Sequence, residues 1–301
     1  MCSDAEKGKV INMSVITIKN SELTVKIKTR GAELTSVTDN SGKEYIWCGD
    51  PKVWGGQCPN LFPIVSRLRN HGDCKYPLGG EIYEMGMHGF AKNSEFEVES
   101  ASESSATFLL RSNDETRVQY PFDFEFRIVY TLDGRKLKVD FITDNKTKGN
   151  MYYSAGSHEG FAIDGGIENY SLVLDEAETL GKYEVLPEGG IGEYAKLVFE
   201  NSRELKLNDD FFAVDALIFF GIRSRGVALR DDRTGESIHV AFPGFDTLLV
   251  WKRQGAEYVC IEPWAGAPDL SWKPYEDFTE KWRIRKLAEN ERETLTHTIT
   301  F

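Results

Sequence analysis

Apolar and polar residues alternate along much of this chain. Leu23, Val25 and Ile27 are separated by polar positions, and Phe122, Phe124, Phe126, Ile128 and Tyr130 repeat the pattern. After Asp133-Gly134 it resumes at Leu137, Val139 and Phe141. A period of two marks half-buried strands, and Asp-Gly between two such runs predicts a hairpin. Val227 and Leu229 lead through Arg233-Thr234-Gly235-Glu236 to Ile238, Val240 and Phe242, a second hairpin. Trp282 and Ile284 followed by Leu295, Ile299 and Phe301 read as a closing pair around Glu289-Asn290-Glu291. No long stretch carries a helical period. Many short strands punctuated by turn signals predict an all-β chain, a sandwich or barrel.

No stretch rich in Pro, Gly or Ser divides the sequence, and no repeat or low-complexity segment is evident. One domain over residues 1–301 is expected, with 1–20 as an N-terminal extension; large all-β folds commonly run past 200 residues as one unit. The Gly-rich stretches 164–166 and 188–190 read as loops. Neither has the strand–loop–helix setting of a phosphate-binding motif, so no nucleotide cofactor is expected.

Charge and cysteines narrow the function. Lys plus Arg is 36 against 48 Asp plus Glu, a net charge of −12, which argues against nucleic acid or an anionic membrane as partner and suits a small neutral molecule. The cysteines, at 2, 48, 58, 74 and 260, are odd in number and contain no Cys-x-x-Cys, so a disulfide framework or zinc ribbon is not expected and a reducing cytoplasm is the simplest location. Residues 1–10 are charged and lack the apolar run of a signal peptide. The most apolar stretch, 211–222, is too short to span a bilayer and contains Asp215.

Three short segments carry the candidate chemistry: Met87-His88-Gly89-Phe90-Ala91, Gly156-Ser157-His158-Glu159-Gly160-Phe161 and Cys260-Ile261-Glu262-Pro263-Trp264-Ala265-Gly266. Imidazole and carboxylate move protons most readily near neutral pH, and here they sit among Gly and aromatics, the composition of a sugar-sized pocket. Glu262 ends an apolar run and precedes a Pro-Trp loop; a partly apolar setting would raise its pKa and strengthen it as a base, whereas the plain alternative is a salt-bridged rim Glu. His158 has small neighbours that admit a ligand close to the backbone; the alternative is a loop His bonded to the main chain. Glu159 is adjacent, and adjacent strand residues face opposite ways, so the two are not expected to act as a pair. His88 reads as either a ligand contact or a turn residue. Arg67 and Arg69, two apart, would share one face of a strand. Asp215 would lie inside an apolar strand, where an acid is costly unless paired. His71 and His297 have polar neighbours and no setting that suggests a role. No spacing among these groups fits a metal site or a nucleophile triad, and the economical reading is metal-free acid–base chemistry on a carbohydrate.

Taken in order, residues 58–70 (Cys-Pro-Asn-Leu-Phe-Pro-Ile-Val-Ser-Arg-Leu-Arg-Asn), His88-Gly89-Phe90-Ala91-Lys92, His158, Asp215 and Ile261-Glu262-Pro263-Trp264 resemble the aldose 1-epimerase (galactose mutarotase-like) family, in its LacX-like branch. The resemblance runs over roughly residues 21–301. It implies a large antiparallel β-sandwich, a supersandwich with the sugar in an open cleft. It implies Glu262 as general base at the anomeric hydroxyl, His158 as general acid at the ring oxygen, and His88, Arg67 and Asp215 as sugar-binding residues; Lys92 and Trp264, in the same motifs, are expected to bind substrate as well. It implies no cofactor. Ser66 stands where a Gly usually precedes the Arg, Lys92 where an Arg is common, and the Asn-His-x-Tyr-Phe-Asn pattern of galactose mutarotases is absent around His158. The reading favoured is a mutarotase acting on a free aldohexose; the alternatives are a hexose 6-phosphate as its substrate, a sugar-binding or sensing protein without catalysis, and a glycosidase or lyase, which would call for two facing carboxylates.

Overall fold

The computed structural model describes residues 14–186 and 190–301. Its largest sheet has nine antiparallel strands, in the spatial order Ile191–Lys206, Tyr170–Val185, Gly226–Asp231, Ser237–Ala241, Arg292–Thr300, Lys136–Asn145, Phe124–Asp133, Ser105–Arg111 and Glu97–Ala101. The predicted central hairpin is there: Asp133 pairs with Lys136 around a two-residue turn in which Gly134 takes φ 54°. Phe124, Phe126, Ile128, Tyr130 and Leu132 all turn inward, as the period of two requires. The second hairpin, Gly226–Asp231 with Ser237–Ala241, also forms as expected.

The expected closing pair does not form. Trp282 and Ile284 lie outside any strand, Arg285–Leu287 pairs with Met151–Tyr153, and Arg292–Thr300 crosses to Lys136–Asn145 and Ser237–Ala241. The Asn290 turn (φ 61°) does reverse the chain, but the strand that leaves it finds longer apolar partners elsewhere.

A second sheet packs over this one. Tyr258–Ala265 is its central strand, flanked on one side by Thr247–Trp251 and then Leu217–Phe220, and on the other by Ala155–Gly156 and Glu159–Ala162. Its inward residues (Leu217, Phe219, Leu248, Val250, Val259 and Ile261) join Phe126, Ile128, Phe141 and Ile299 of the large sheet in one apolar core. Burying each such side chain contributes roughly 1.5–3 kcal/mol. Leu23–Lys28 lies in a three-stranded sheet between Val15–Lys19 and Glu33–Asp39, so part of the segment set apart as an extension contributes a strand; residues 1–13 lie outside the described residues. Of the two Gly-rich stretches, 164–166 is a loop, and 188 and 189 lie outside the described residues.

Candidate active site

The second sheet has two unlike faces. Along Tyr258–Ala265 the odd positions Val259, Ile261 and Ala265 enter the core, and the even positions Tyr258, Cys260, Glu262 and Trp264 face away from it. Ile261 pairs with Glu159 and Trp264 with Gly156, and the same register sets His158 directly opposite Glu262. The result is an imidazole and a carboxylate side by side, His158 Nε2 lying 3.4 Å from Glu262 Oε1. Glu262 is therefore not the last residue before a loop. The strand continues through Pro263 and Trp264 to Ala265, because the missing Pro263 N–H is not needed where its carbonyl accepts the Ser157 N–H (3.1 Å).

Both groups are almost fully buried, with Glu262 2% and His158 8% exposed. Burial pushes the Glu262 carboxyl well above the usual range, and the nearby charges of Asp215 and Glu159 push it the same way. Burial also drives the His158 imidazole down to about 4. Two aromatic rings enclose it: Trp54 stacks on it at 5.1 Å and Trp251 meets it edge-on at 5.7 Å. The small neighbours of His158 make room for indole rings. A Cβ at Gly156 would lie 2.5 Å from the Trp264 ring, and one at Gly160 would lie 2.9 Å from the Trp54 ring.

Glu159 points the other way, into the core, as alternation requires, and there Glu159 Oε1 meets His297 Nε2 at 2.7 Å. His297, for which the sequence suggested no role, is thus a fully buried partner lying behind the site. Its polar neighbours in sequence concealed an inward-facing position on Arg292–Thr300.

His88 sits in a turn with φ 66°, its N–H donating to the Ser66 carbonyl (2.7 Å) while its Nδ1 accepts the Ser66 N–H (3.1 Å). Accepting at Nδ1 leaves the proton of the neutral ring on Nε2, available as a donor. Burial keeps the ring neutral by pushing its pKa well down. Ser66 itself has φ 62°, which accounts for glycine being usual at that position. Gly89 allows this turn to close, since a Cβ there would lie 2.2 Å from the Phe62 carbonyl oxygen.

Arg67 and Arg69 are not strand neighbours. They lie in an irregular segment, both reach the cleft wall, and both bind Asp73, at 2.5 Å and 3.0 Å. That segment is held by Asp269, whose Oδ2 accepts the Arg69 and Asn70 N–H groups (2.6 and 3.0 Å) while its Oδ1 takes the buried Lys281 ammonium (2.6 Å). Asp215 is not in a strand either. It occupies an exposed bend before Leu217–Phe220 and lines the cleft. Lys92, on a single 3₁₀ turn, is half-buried and lines the cleft, where burial lowers its pKa. Trp264 forms part of the floor, its indole N–H donating to the Ser157 carbonyl (3.2 Å).

All seven residues singled out in the sequence (Arg67, His88, Lys92, His158, Asp215, Glu262 and Trp264) therefore line one cleft of about 690 Å³. That volume falls within the usual range for small-molecule sites, about 300–1,000 Å³. Trp54, Trp251, Lys252 and Arg253 line it too and were missed. Trp251 ends an apolar run, Thr247–Trp251, whose alternate residues Leu249 and Trp251 share the cleft face; Trp54 gave no signal beyond an aromatic in a Gly-containing loop. A second hollow of about 240 Å³, lined by Tyr45, Arg135, Tyr170 and Phe301 among others, holds no comparable acid–base pair. Its cations are already engaged, Lys43 with Glu236 and Arg135 with the Tyr45 hydroxyl and Phe301 carbonyl. No helix among the described residues is long and apolar enough to cross a membrane.

The sequence and fold have known counterparts. The family model for aldose 1-epimerase matches residues 14–285. The chromosomal LacX protein of Lactococcus lactis is 35% identical over 261 residues, covering 83% of this chain and 87% of that protein. A galactose mutarotase related enzyme from Lactobacillus acidophilus superposes with a TM-score of 0.87 at 32% identity, over 95% of this chain and 97% of its own. A galactose mutarotase-like protein from Lactobacillus casei gives a TM-score of 0.87 at 26% identity, over 95% and 99%. With a match that runs from the first strand through the motifs on the cleft floor, the chain belongs to the aldose 1-epimerase family.

Proposed function

We propose that the protein interconverts the α and β anomers of a free aldohexose by opening and reclosing its ring. The observation that carries this reading is the buried His158–Glu262 pair, 3.4 Å apart on the floor of the cleft. O1 and O5 of a cyclic sugar are attached to the same carbon, so a base serving one and an acid serving the other must stand side by side. Glu262 takes the O1 proton as the C1–O1 double bond forms. The C1–O5 bond breaks, its electron pair goes to O5, and His158 protonates that oxygen. Rotation about C1–C2 presents the other face of the aldehyde, and the steps reverse. The neutral His88 donor and the Asp215 carboxylate stand where they can hold hydroxyls, and Trp54 and Trp251 supply apolar surface against the ring.

The pair's titration bears on this cycle. Burial raises the carboxyl and lowers the imidazole, so both shifts favour the uncharged pair with its proton on Glu262. The reactive form is the tautomer with that proton on His158, and the reverse tautomer serves the return step.

The cleft's cations bear on whether the sugar is phosphorylated. Arg67 and Arg69 share Asp73, and Lys252 is paired with Asp209. Among the described residues only Lys92 and Arg253 line the cleft without an ion pair, too few to favour a dianion in a chain of net charge −12. Polarimetry on fresh α-D-glucose, α-D-galactose and glucose 6-phosphate tests the proposal. Accelerated decay of rotation with a free hexose, lost in Glu262→Gln, is expected. No acceleration with any of these sugars would favour the binding-protein reading. A tenfold or greater preference for the phosphosugar, lost on Lys92→Ala, would favour the phosphorylated substrate.

A further inference from the structure

The acid–base cycle leaves one reactive side chain beneath the cleft unused, a buried thiol. Cys260 lies two residues before Glu262 on the same strand and the same face, beside the Tyr258–Trp54 stack. An imidazole nitrogen of His158, Cys260 Sγ and a carboxylate oxygen of Glu262 all lie within 4.8 Å of one another, and all three residues are buried. No spacing motif marks this cluster, because its members are brought together by strand register: an i, i+2 pair on one strand and a residue opposite on the next.

We propose that His158, Cys260 and Glu262 form a binding site for a thiophilic divalent cation, with Zn²⁺ the best fit, and that the cation blocks the site when bound. The donor set is one thiolate, one imidazole and one carboxylate, which zinc accepts in tetrahedral geometry. With Zn–N and Zn–O bonds of about 2.0–2.2 Å, tetrahedral ligands stand about 3.3 Å apart. His158 Nε2 and Glu262 Oε1 already stand at 3.4 Å, so only the thiol has to close in. His158 Nδ1 has no hydrogen-bond partner among the described residues, and Trp54 and Trp251 hold the ring with Nε2 toward Glu262. A net charge of −12 draws cations toward the protein. Binding exchanges the protons of the thiol and the pair for the cation, those protons passing to the buffer, with no change of oxidation state.

The blocking role rests on the mutarotase reading; the binding site does not. A cation held by both members of the pair removes the base and the acid together, so the metal is an inhibitor and not a cofactor.

The test uses the full chain, stripped with chelator and dialysed, in the wild type and in Cys260→Ala, with Cys48→Ser as a control for an exposed thiol. Titration with Co²⁺ alone should give a thiolate-to-cobalt charge-transfer band in the wild type and in Cys48→Ser, displaced by Zn²⁺ and absent from Cys260→Ala. Thermal melts without metal establish that Cys260→Ala is folded, and Cys260→Ser provides a second variant if it is not. In parallel, once free Zn²⁺ reaches about ten times its Kd, mutarotation should slow by about tenfold in the wild type, recover with EDTA, and be unaffected in Cys260→Ala. No cobalt band in the wild type, or a band undiminished in folded Cys260→Ala, overturns the site. A band that depends on Cys260 with no effect of Zn²⁺ on a measurable mutarotase rate overturns the blocking role. A Cys260-dependent band in a protein with no mutarotase activity leaves the site standing and refutes the proposed function instead.

Discussion

His158→Gln should make the protein more resistant to acid. The wild-type imidazole is held near 4 by burial, against an ordinary value of 6.5 in the unfolded chain. Between those two values the unfolded state binds a proton that the folded state refuses, so stability falls as pH falls, beginning near 6.5 and levelling off below about 4. The full penalty is 6.5 − 4, or about 2.5 pH units at about 1.36 kcal/mol each, roughly 3 kcal/mol. By pH 5 about 2 kcal/mol of it has developed. The ring is only 8% exposed, so solvent screening takes little away. Gln cannot protonate, keeps polar reach toward Glu262 and fits the space beneath Trp54. Urea unfolding of both proteins at intervals from pH 7.5 to pH 4.5 reads the contribution, because every titrating group except the coupled Glu262 is common to the two in the same surroundings. The variant's stability should drop less than the wild type's over that range, by about 2 kcal/mol or somewhat more. A gap between the two proteins that stays constant with pH would show that His158 titrates alike in the folded and unfolded chains, and the account of the catalytic pair as a desolvated, singly protonated unit would fall with it.

The same pair sets the rate profile: mutarotation should decline on the acid side near 4, where His158 takes up a proton, and an acid limb near 6.5 would mean an ordinary, solvated histidine. Glu262→Gln should lower kcat by about 10²-fold or more. It should also raise stability increasingly as pH climbs above about 4.5, since a carboxyl whose folded pKa is raised loses stability as pH rises toward that value; urea titrations at pH 5 and pH 8 read this out. Asp269→Asn leaves the Lys281 ammonium buried without its partner, which should cost about 3–5 kcal/mol in chemical unfolding. It should also raise KM more than it lowers kcat, because Asp269 fixes the Arg67 segment and does not touch the pair. Ser66→Gly should stabilise by about 1 kcal/mol, read from the urea midpoint, by relieving a left-handed backbone at φ 62°.

The sequence discloses local chemistry here far better than long-range connection. Leu132 and Leu137 flank a turn and had to pair; alternation told which of their neighbours would be buried, and the structure agrees residue by residue along Phe124–Asp133. Arg292–Thr300 carries the same period of two, yet one partner, Lys136–Asn145, lies about 150 positions upstream and the other, Ser237–Ala241, about 60, and nothing local distinguishes them from the nearer Trp282–Ile284 run. The site divides in the same way. His158 and Glu262 announced themselves by composition, an ionisable group among Gly and aromatics. Asp215 was found too, but inside an apolar strand that in fact begins after it, at Leu217. Pro263 suggested a loop because a proline removes a donor, and that inference fails where the strand is central and its neighbour already offers its own N–H to the Pro263 carbonyl.

Strand register explains why the most informative relation in the molecule, His158 opposite Glu262, stayed hidden while both residues were visible. Side-chain direction along a strand is fixed by parity, so His158 and Glu159 must part, one to the cleft and one to His297. Parity is legible from one segment. Which residue of another strand stands opposite requires the offset between the two, and Glu159↔Ile261 together with Gly156↔Trp264 supplies it. A slip of one position would turn Glu262 into the core and bring Ile261 to the cleft, exchanging a buried acid–base pair for an unpaired buried carboxylate. The apolar odd positions of Tyr258–Ala265 forbid that slip. The packing of the core thus fixes the geometry of the chemistry on the opposite face of the same strand.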